Sequence, residues 1–557
     1  MVMQFDKRSK WWGWGKEDEA YHIPDPDRFW AYVRGRLGTT KPRPRVTSLA
    51  DFKLRKSRLP RRDIAELRQI SGAGAVSTDG EERAFFSLGK SYTDLVRMRR
   101  GEVSNATDAI VRPGDEQQVL AVMRLAAGRR LAVIPFGGGT SVVGGVEPVG
   151  EGPTITIDMA ALNQVLEIDR EAATATVQAG VMGPDLERVL RRSGFTLGHF
   201  PQSFRYSSVG GWIATRSAGQ NSTKYGAIAA LVQSVRLAHP EGILSTPNVP
   251  AAAAGPDLAQ MIVGSEGTLG VITQANVRLS GLPERRSYRG YLLPSFAAGV
   301  QASREIMQAG VEPAVLRLSD EAETESSLAL RAAPQGAAAA AERVGRWYLQ
   351  RKGLDLESGS IMILGFEGSE ADVRHSGEAA KRILKRLGAA SLGSSPGRAW
   401  RRSRFAAPHL RDVFLDNGIM VDTLETSTTW GNYLTLHAKV RDALRGALGE
   451  RSVVMAHLSH SYTDGGSIYY TFLAPQDEGG EIEQWERVKA AATDAIVAGG
   501  GALSHHHAIG IEHRRWMRDY LGDEGSRWLS QIKRTLDPEG VMNPGKLIPD
   551  LEVSPRE

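Results

Sequence analysis

No cysteine occurs anywhere in the 557 residues. That excludes disulfides, a thiolate nucleophile and any thiolate-held metal or cluster, so chemistry must come from His, carboxylates, Tyr or a bound cofactor. No apolar run reaches the ~18 residues that a spanning helix needs, and integral membrane insertion is therefore not expected. The stretch from Met1 to Lys16 is rich in Trp and charge and lacks the apolar segment of a secretory signal, which makes the cytoplasm the expected compartment. Charge of one sign is scarce too: 69 Lys and Arg stand against 64 Asp and Glu, a net +5. What imbalance exists sits early. Between Arg34 and Arg62 eleven Lys or Arg face only Asp51, which reads as a solvated charged face or as an arm touching an anionic membrane surface. No nucleic-acid module accompanies it, so nucleic acid is not an expected partner.

Glycine, by contrast, is plentiful and clustered. In the stretch from Pro135 to Gly145, Gly137, Gly138 and Gly139 can take φ > 0 and let an anion approach the main chain, while Thr140 and Ser141 add hydroxyl donors. A phosphate-holding nest and a plain turn fit this stretch equally well. Two better-known phosphate motifs fail: the dinucleotide pattern would need Gly at Val142, and the P-loop would need Lys where Gly145 stands.

Length and a 41% hydrophobic content suffice for two or three domains. Before Ser104 the chain reads as an irregular or helical extension, broken by Pro24, Pro26, Pro42, Pro44 and Pro60, whose order depends on docking to the body. From Asp108 the pattern predicts a short strand over 109–113, an amphipathic helix over 115–130 and a buried strand over 131–136 that ends at the glycine loop. A strand over 154–159, a hairpin of 165–169 with 174–178 and a helix over 183–193 follow, which suggests α+β architecture and not a doubly wound sheet. Ala251 to Ala254 reads as a loop, and 335–352 as an Ala-rich helix.

Two further small-residue runs follow. One holds Ser203, Ser207, Ser208, Gly210, Gly211, Thr215 and Gly219; the other runs from Gly264 through Glu266 to Ile272. A large flat ligand could lie against such backbone. These three segments, in this order and spacing, resemble the FAD-binding domain of the vanillyl-alcohol oxidase type, over 104–281. The resemblance implies that Pro135 and Gly137 to Val142 clasp the pyrophosphate. It implies that Ser203, Ser207, Ser208, Gly210, Gly211, Thr215 and Gly219 line the flavin and ribityl chain, and that Glu266 and Ile272 belong to the cofactor site, Ile272 on the adenine side. Several relatives attach FAD through a His near the start of this domain. Here no His lies between His22 and His199, so the FAD is expected to be non-covalent.

Beyond Gly281, strands are expected over 287–293, 314–318, 360–366 and 467–473, separated by helices over 296–310, 369–387 and 430–448, making a cap over 282–500 that encloses the substrate. Residues 501–557 are expected to complete the site and return to the first domain. Three features could carry chemistry. Ser504-His505-His506-His507 offers acid/base or anion contact, a metal site or a structural turn. Tyr462, just before a turn, could reach a flavin edge or simply pack. Arg317 interrupts an apolar strand and needs an anion, either a structural carboxylate or a substrate phosphate.

Together with Trp12-Gly13-Trp14-Gly15, the stretch from Ile363 to Gly368 and Leu424-Glu425-Thr426-Ser427, these features resemble the alkyldihydroxyacetonephosphate synthases of ether-lipid synthesis over nearly the whole chain, and the stretch from Leu536 to Lys546 is shared with wider flavin relatives. The resemblance implies that a long-chain alcohol replaces the acyl group of acyl-dihydroxyacetone phosphate through an adduct at flavin N5. Tyr462 would take a proton at C1, His506 and His507 would supply acid/base and phosphate contacts with His505 beside them in the catalytic set, and Arg317 would order the site. No metal is expected; a homodimer and peripheral membrane contact are. Two departures stand out: Ala508 where the family places Gly after its three His, and no terminal Ser-Lys-Leu peroxisomal address. The competing reading is an FAD-dependent 2-hydroxyacid dehydrogenase, whose relatives carry Glu-His-Gly where this chain has His506-His507-Ala508.

Overall fold

The computed structural model describes residues 10–46 and 48–549; the first nine residues of the Met1 to Lys16 stretch and the chain end from 550 lie outside it. The architecture is α+β, built on three main sheets. The strand Ala132–Phe136 pairs in parallel with Thr154–Asp158, which pairs in parallel with Ala109–Val111, and Val76–Ser77 closes that sheet antiparallel. Between Ala109–Val111 and Ala132–Phe136 runs the helix Glu116–Arg129, opened by the Asp115 side chain accepting the Gln118 N–H at 2.8 Å. The hairpin Val165–Asp169 with Thr174–Gln178 continues through Val271–Arg278, Val232–His239 and Gly242–Ser245 into a five-stranded antiparallel sheet. One apolar core, including Val111, Met123, Ile155, Val177, Trp212 and Leu237, is common to the two sheets.

The cap is a seven-stranded antiparallel sheet in the order Ala390–Gly393, Arg285–Leu293, Ser360–Gly368, Val315–Ser319, Val453–Ser461, Gly465–Pro475 and Ile419–Thr429. The strands Val453–Ser461 and Ile419–Thr429 fall outside the segments expected from alternation. The second is rich in Asp, Glu and Thr, yet it pairs with Gly465–Pro475 along its whole length. Helices Phe296–Gln308, Glu370–Arg386, Tyr433–Leu448 and Glu481–Ala498 contribute to the core of this half.

The extension does dock on the body. Trp11, Phe29, Val33 and Leu37 are buried in the cap core, and Trp11 packs edge-on against Trp12 and Phe52. Part of the basic run is ion-paired to the body, while most of its side chains stay exposed. Arg36 meets Glu325 at 2.6 Å, Arg43 meets Glu478 at 3.2 Å, Arg45 meets Asp416 at 2.6 Å, and Arg55 and Arg58 converge on the buried Asp108. Its missing counter-charges come from distant segments, so local counting leaves it falsely unbalanced. Among the described residues no helix is long and apolar enough to cross a membrane.

Candidate active site

A cavity of about 630 Å³ lies between the two halves and reaches the extension. Pro135 and the loop Gly137 to Val142 form one wall, facing Ser207, Ser208, Gly210 and Gly211. The two loops approach so closely that a Cβ on Gly138 would overlap the Tyr206 carbonyl oxygen, and one on Gly137 would overlap Ser208 Oγ. Gly139 sits at φ +63°. Among the described residues the backbone N–H groups of Gly138 to Val142 donate to no protein acceptor, so a run of amides stands ready for an anionic ligand. The same wall carries Ser203, Thr215, Glu266 and Ile272. Gly219 is not on it; its missing side chain leaves room for the Phe200 backbone, and its smallness serves packing instead.

Glu266 is also more than a cofactor neighbour. Its buried carboxylate accepts the Ile509 N–H at 2.8 Å and the Gly510 N–H at 2.7 Å, fastening the segment after the three His to the first half. Burial raises that carboxyl to about 7 against the pull of those amides. Asn543 tightens the joint by donating to the carbonyls of Gly145 and Glu266.

The opposite wall belongs to the cap sheet. In cross-strand register Glu425 lies opposite Tyr469, and Tyr469 lies opposite His457. Tyr469 stacks on His457 at 4.8 Å between centroids and on His506 at 5.9 Å. A register shift between Leu458 and Ser461 breaks strict alternation, and both Ser459 and His460 reach the cavity.

The three-His turn is built around one carboxylate. Glu425 accepts the N–H groups of His505 at 2.7 Å, His506 at 3.0 Å and His507 at 2.8 Å, together with the Ser504 hydroxyl at 2.7 Å. Burial would raise its pKa, but the neighbouring His506, His507 and His505 and these amides hold it well below the ordinary carboxylate range. Ala508 takes φ +77°, the left-handed conformation that Gly would adopt freely, so the turn forms despite the substitution. Burial keeps the imidazoles neutral: His505 is lowered to about 4, His506 is lowered, and His507 is lowered well below the ordinary value.

The predicted chemical residues separate on inspection. His506, His507 and Arg317 face the cavity, whereas Tyr462 and His505 do not. Tyr462 stands behind the wall, its hydroxyl 2.6 Å from His505 Nε2, and His505 Nδ1 is 3.0 Å from His506 Nδ1. Burial pushes the Tyr462 phenol up to about 12, so it stays protonated and donates to the neutral His505. Arg317 has its anion within the protein: Nη2 meets Glu323 Oε1 at 2.7 Å, and His457 Nδ1 reaches the same oxygen at 2.9 Å. Burial favours the neutral acid at Glu323, but Arg317 and His457 hold it down to about 2.

Sequence reasoning assigned no role to Glu425, Glu323, His457 or His460. The signal available for Glu425 was its place, with Asp422, as one of two carboxylates within the run from Ile419 to Thr429. Donor atoms of His460, His505 and His506 lie within 4.8 Å of one another, the spacing of a metal site. His460 Nδ1 is already 2.7 Å from Ser222 Oγ, and both His505 nitrogens are engaged as above.

A flavin dinucleotide fits the first wall, with unpaired amides for its pyrophosphate and flat small-residue backbone for its ring. The comparisons agree. The FAD binding domain family matches residues 107–246, and the C-terminal domain of FAD linked oxidases matches 282–547. The fold and site thus define an FAD-dependent enzyme of the vanillyl-alcohol oxidase type. The chain belongs to the alkyldihydroxyacetonephosphate synthase family. It is 36% identical to the alkyldihydroxyacetonephosphate synthase of Dictyostelium discoideum over 88% of this chain and 81% of the relative. It is 33% identical to that of Trypanosoma brucei brucei over 99% and 94%. A solved alkyldihydroxyacetonephosphate synthase structure superposes with TM-score 0.83 at 32% identity, covering 97% and 99% of the two chains. A glycolate oxidase subunit of Bacillus subtilis is more distant, at 25% identity over 79% and 88%.

Proposed function

We propose that the chain exchanges the acyl group of acyl-dihydroxyacetone phosphate for a long-chain alcohol, yielding an ether. The carrying observation is the shape of the cavity. Its polar end holds the glycine wall and the neutral imidazoles. Its other end is apolar, lined by Phe29, Val33 and Leu37 of the helix Pro26–Leu37 together with Phe414, Val453, Met455 and Leu473. A lipid chain suits that end, and a small hydroxyacid would leave it unfilled. Bound FAD, in its reduced state, would supply a nucleophilic nitrogen for C1; the protein's own part is to bind, orient and move protons.

Within this reading Tyr462 acts through His505 on His506, the imidazole that faces the cavity. Arg411 is one cation that the substrate phosphate could meet, with Arg404 another on the same cavity. Arg411 lines the cavity, its Nη2 meets Asp422 at 2.9 Å, and its buried Nε has no hydrogen-bond partner among the described residues. Peripheral membrane contact is assigned to the helix Ala337–Arg351. That helix exposes Val344, Trp347 and Tyr348 beside Arg351 and Lys352, a composition suited to an anionic lipid surface.

The deciding experiment supplies palmitoyl-dihydroxyacetone phosphate with hexadecanol, then D-lactate or glycolate with a dye acceptor. Ether product without dye reduction is expected. Dye reduction by the hydroxyacids with no ether formed would replace this reading with the dehydrogenase one.

A further inference from the structure

The strand Val453–Ser461 sends Val453, Met455, His457 and Ser459 into the cavity in succession. The wall therefore changes from apolar to polar along one strand, and His457 stands at the change. In a lipid bound with its chain toward Val453, the oxygen joining chain to head group lies at this boundary. His457 is also oriented. Glu323 can only accept, so the His457 nitrogen facing it at 2.9 Å, Nδ1, carries the proton, and Nε2 holds a lone pair. Arg317 binds the same carboxylate oxygen at 2.7 Å and fixes it in place.

We propose that His457, held by Glu323, is the base that takes the hydroxyl proton of the incoming alcohol. This rests on the exchange reading above. In the net reaction the C1–O bond to the acyl group breaks, and the carboxylate leaves with the electron pair. The C1–O bond to the alcohol forms, and the hydroxyl proton passes through His457 to water. Nothing is oxidised or reduced overall. The groups facing His457 are Glu323 and Arg317, Tyr469 stacked on it, and His506 beyond Tyr469. Burial and Arg317 lower its pKa while Glu323 opposes them, which keeps the imidazole free to accept a proton near neutral pH. Glu323 and Arg317 are then positioning residues, and Arg317 need not touch substrate.

The test uses the FAD-loaded enzyme with palmitoyl-dihydroxyacetone phosphate and either hexadecanol or hexadecanethiol, whose far more acidic thiol needs less help from a base. His457→Gln should lose about 100-fold in kcat with the alcohol but only a few-fold with the thiol. Equal losses with both acceptors, or an alcohol rate within twofold of wild type, would overturn the assignment. Should His457→Gln fail to fold, Glu323→Gln serves in its place. The acid limb of kcat/KM for the alcohol should move to lower pH in that variant, because the imidazolium loses its carboxylate. An unmoved limb would also overturn the assignment. Absence of ether product from the wild-type enzyme would overturn the exchange reading instead, so the two failures are told apart.

Discussion

Glu425 and Glu323 are both buried carboxylates of the cap, and both are held below the ordinary carboxylate range, yet they do different work. Glu425 accepts three consecutive backbone amides and a hydroxyl, so it shapes a turn. Glu323 accepts an arginine and a histidine side chain, so it aims two groups whose backbone the sheet already holds. A carboxylate spent on the main chain is a folding element. One spent on side chains sets the state of those side chains. Tyr469, stacked on both His457 and His506, joins the two clusters.

Breaking the first cluster should cost most. Glu425→Ala leaves three amides and a hydroxyl without their buried acceptor and should destabilise the protein by about 3–5 kcal/mol, with activity lost. Denaturant unfolding measures this, and an unchanged midpoint would mean that water replaces the carboxylate. Tyr462→Phe removes the phenol from the Tyr462–His505–His506 line and should lower turnover about 100-fold while FAD absorbance is kept. Near-normal turnover would remove Tyr462 from the reaction.

Acid separates the clusters further. The three imidazoles have folded pKa values below the ordinary 6.5, so the folded state takes up their protons less readily than the unfolded chain. Their contribution is complete above 6.5 and is lost as pH falls from there toward about 4, the His505 value. Glu323, lowered from 4.5 to about 2, loses its contribution only within that lower window. The melting temperature should therefore begin to drop between pH 6.5 and 5, and His507→Gln should flatten that drop; a flat wild-type curve over this range would contradict it. The smallest effect concerns Ala508. Relieving φ +77° with Ala508→Gly should stabilise by about 0.5–1 kcal/mol, read by the same melts. A loss instead would show that the buried Ala508 methyl matters more than the strain.

Much of the first half was legible because its determinants are local. The hairpin Val165–Asp169 with Thr174–Gln178 follows from alternation around a short turn, and the glycine wall of the cavity follows from glycines where two loops must touch. The cap was legible in its strand and helix periods but not in its clusters. His457 and Glu323 lie 134 residues apart, and His505 and Glu425 lie 80 apart, so no window of sequence contains either pair. The ion-pair partners of the basic run from Arg34 to Arg62 were illegible for the same reason, since Asp416 and Glu478 answer it from the far side of the chain.

By itself, then, the sequence determined the absence of thiol chemistry, the close approach of two glycine-rich loops and the family to which the chain belongs. These depend on residue identity and short spacing. Only the tertiary structure decided which imidazoles face the cavity, that Tyr462 stands behind His505, and that Arg317 is spent on Glu323. Those outcomes depend on strand register and on burial, which bring distant charges within 3 Å and set their protonation, and neither can be read from a position along the chain.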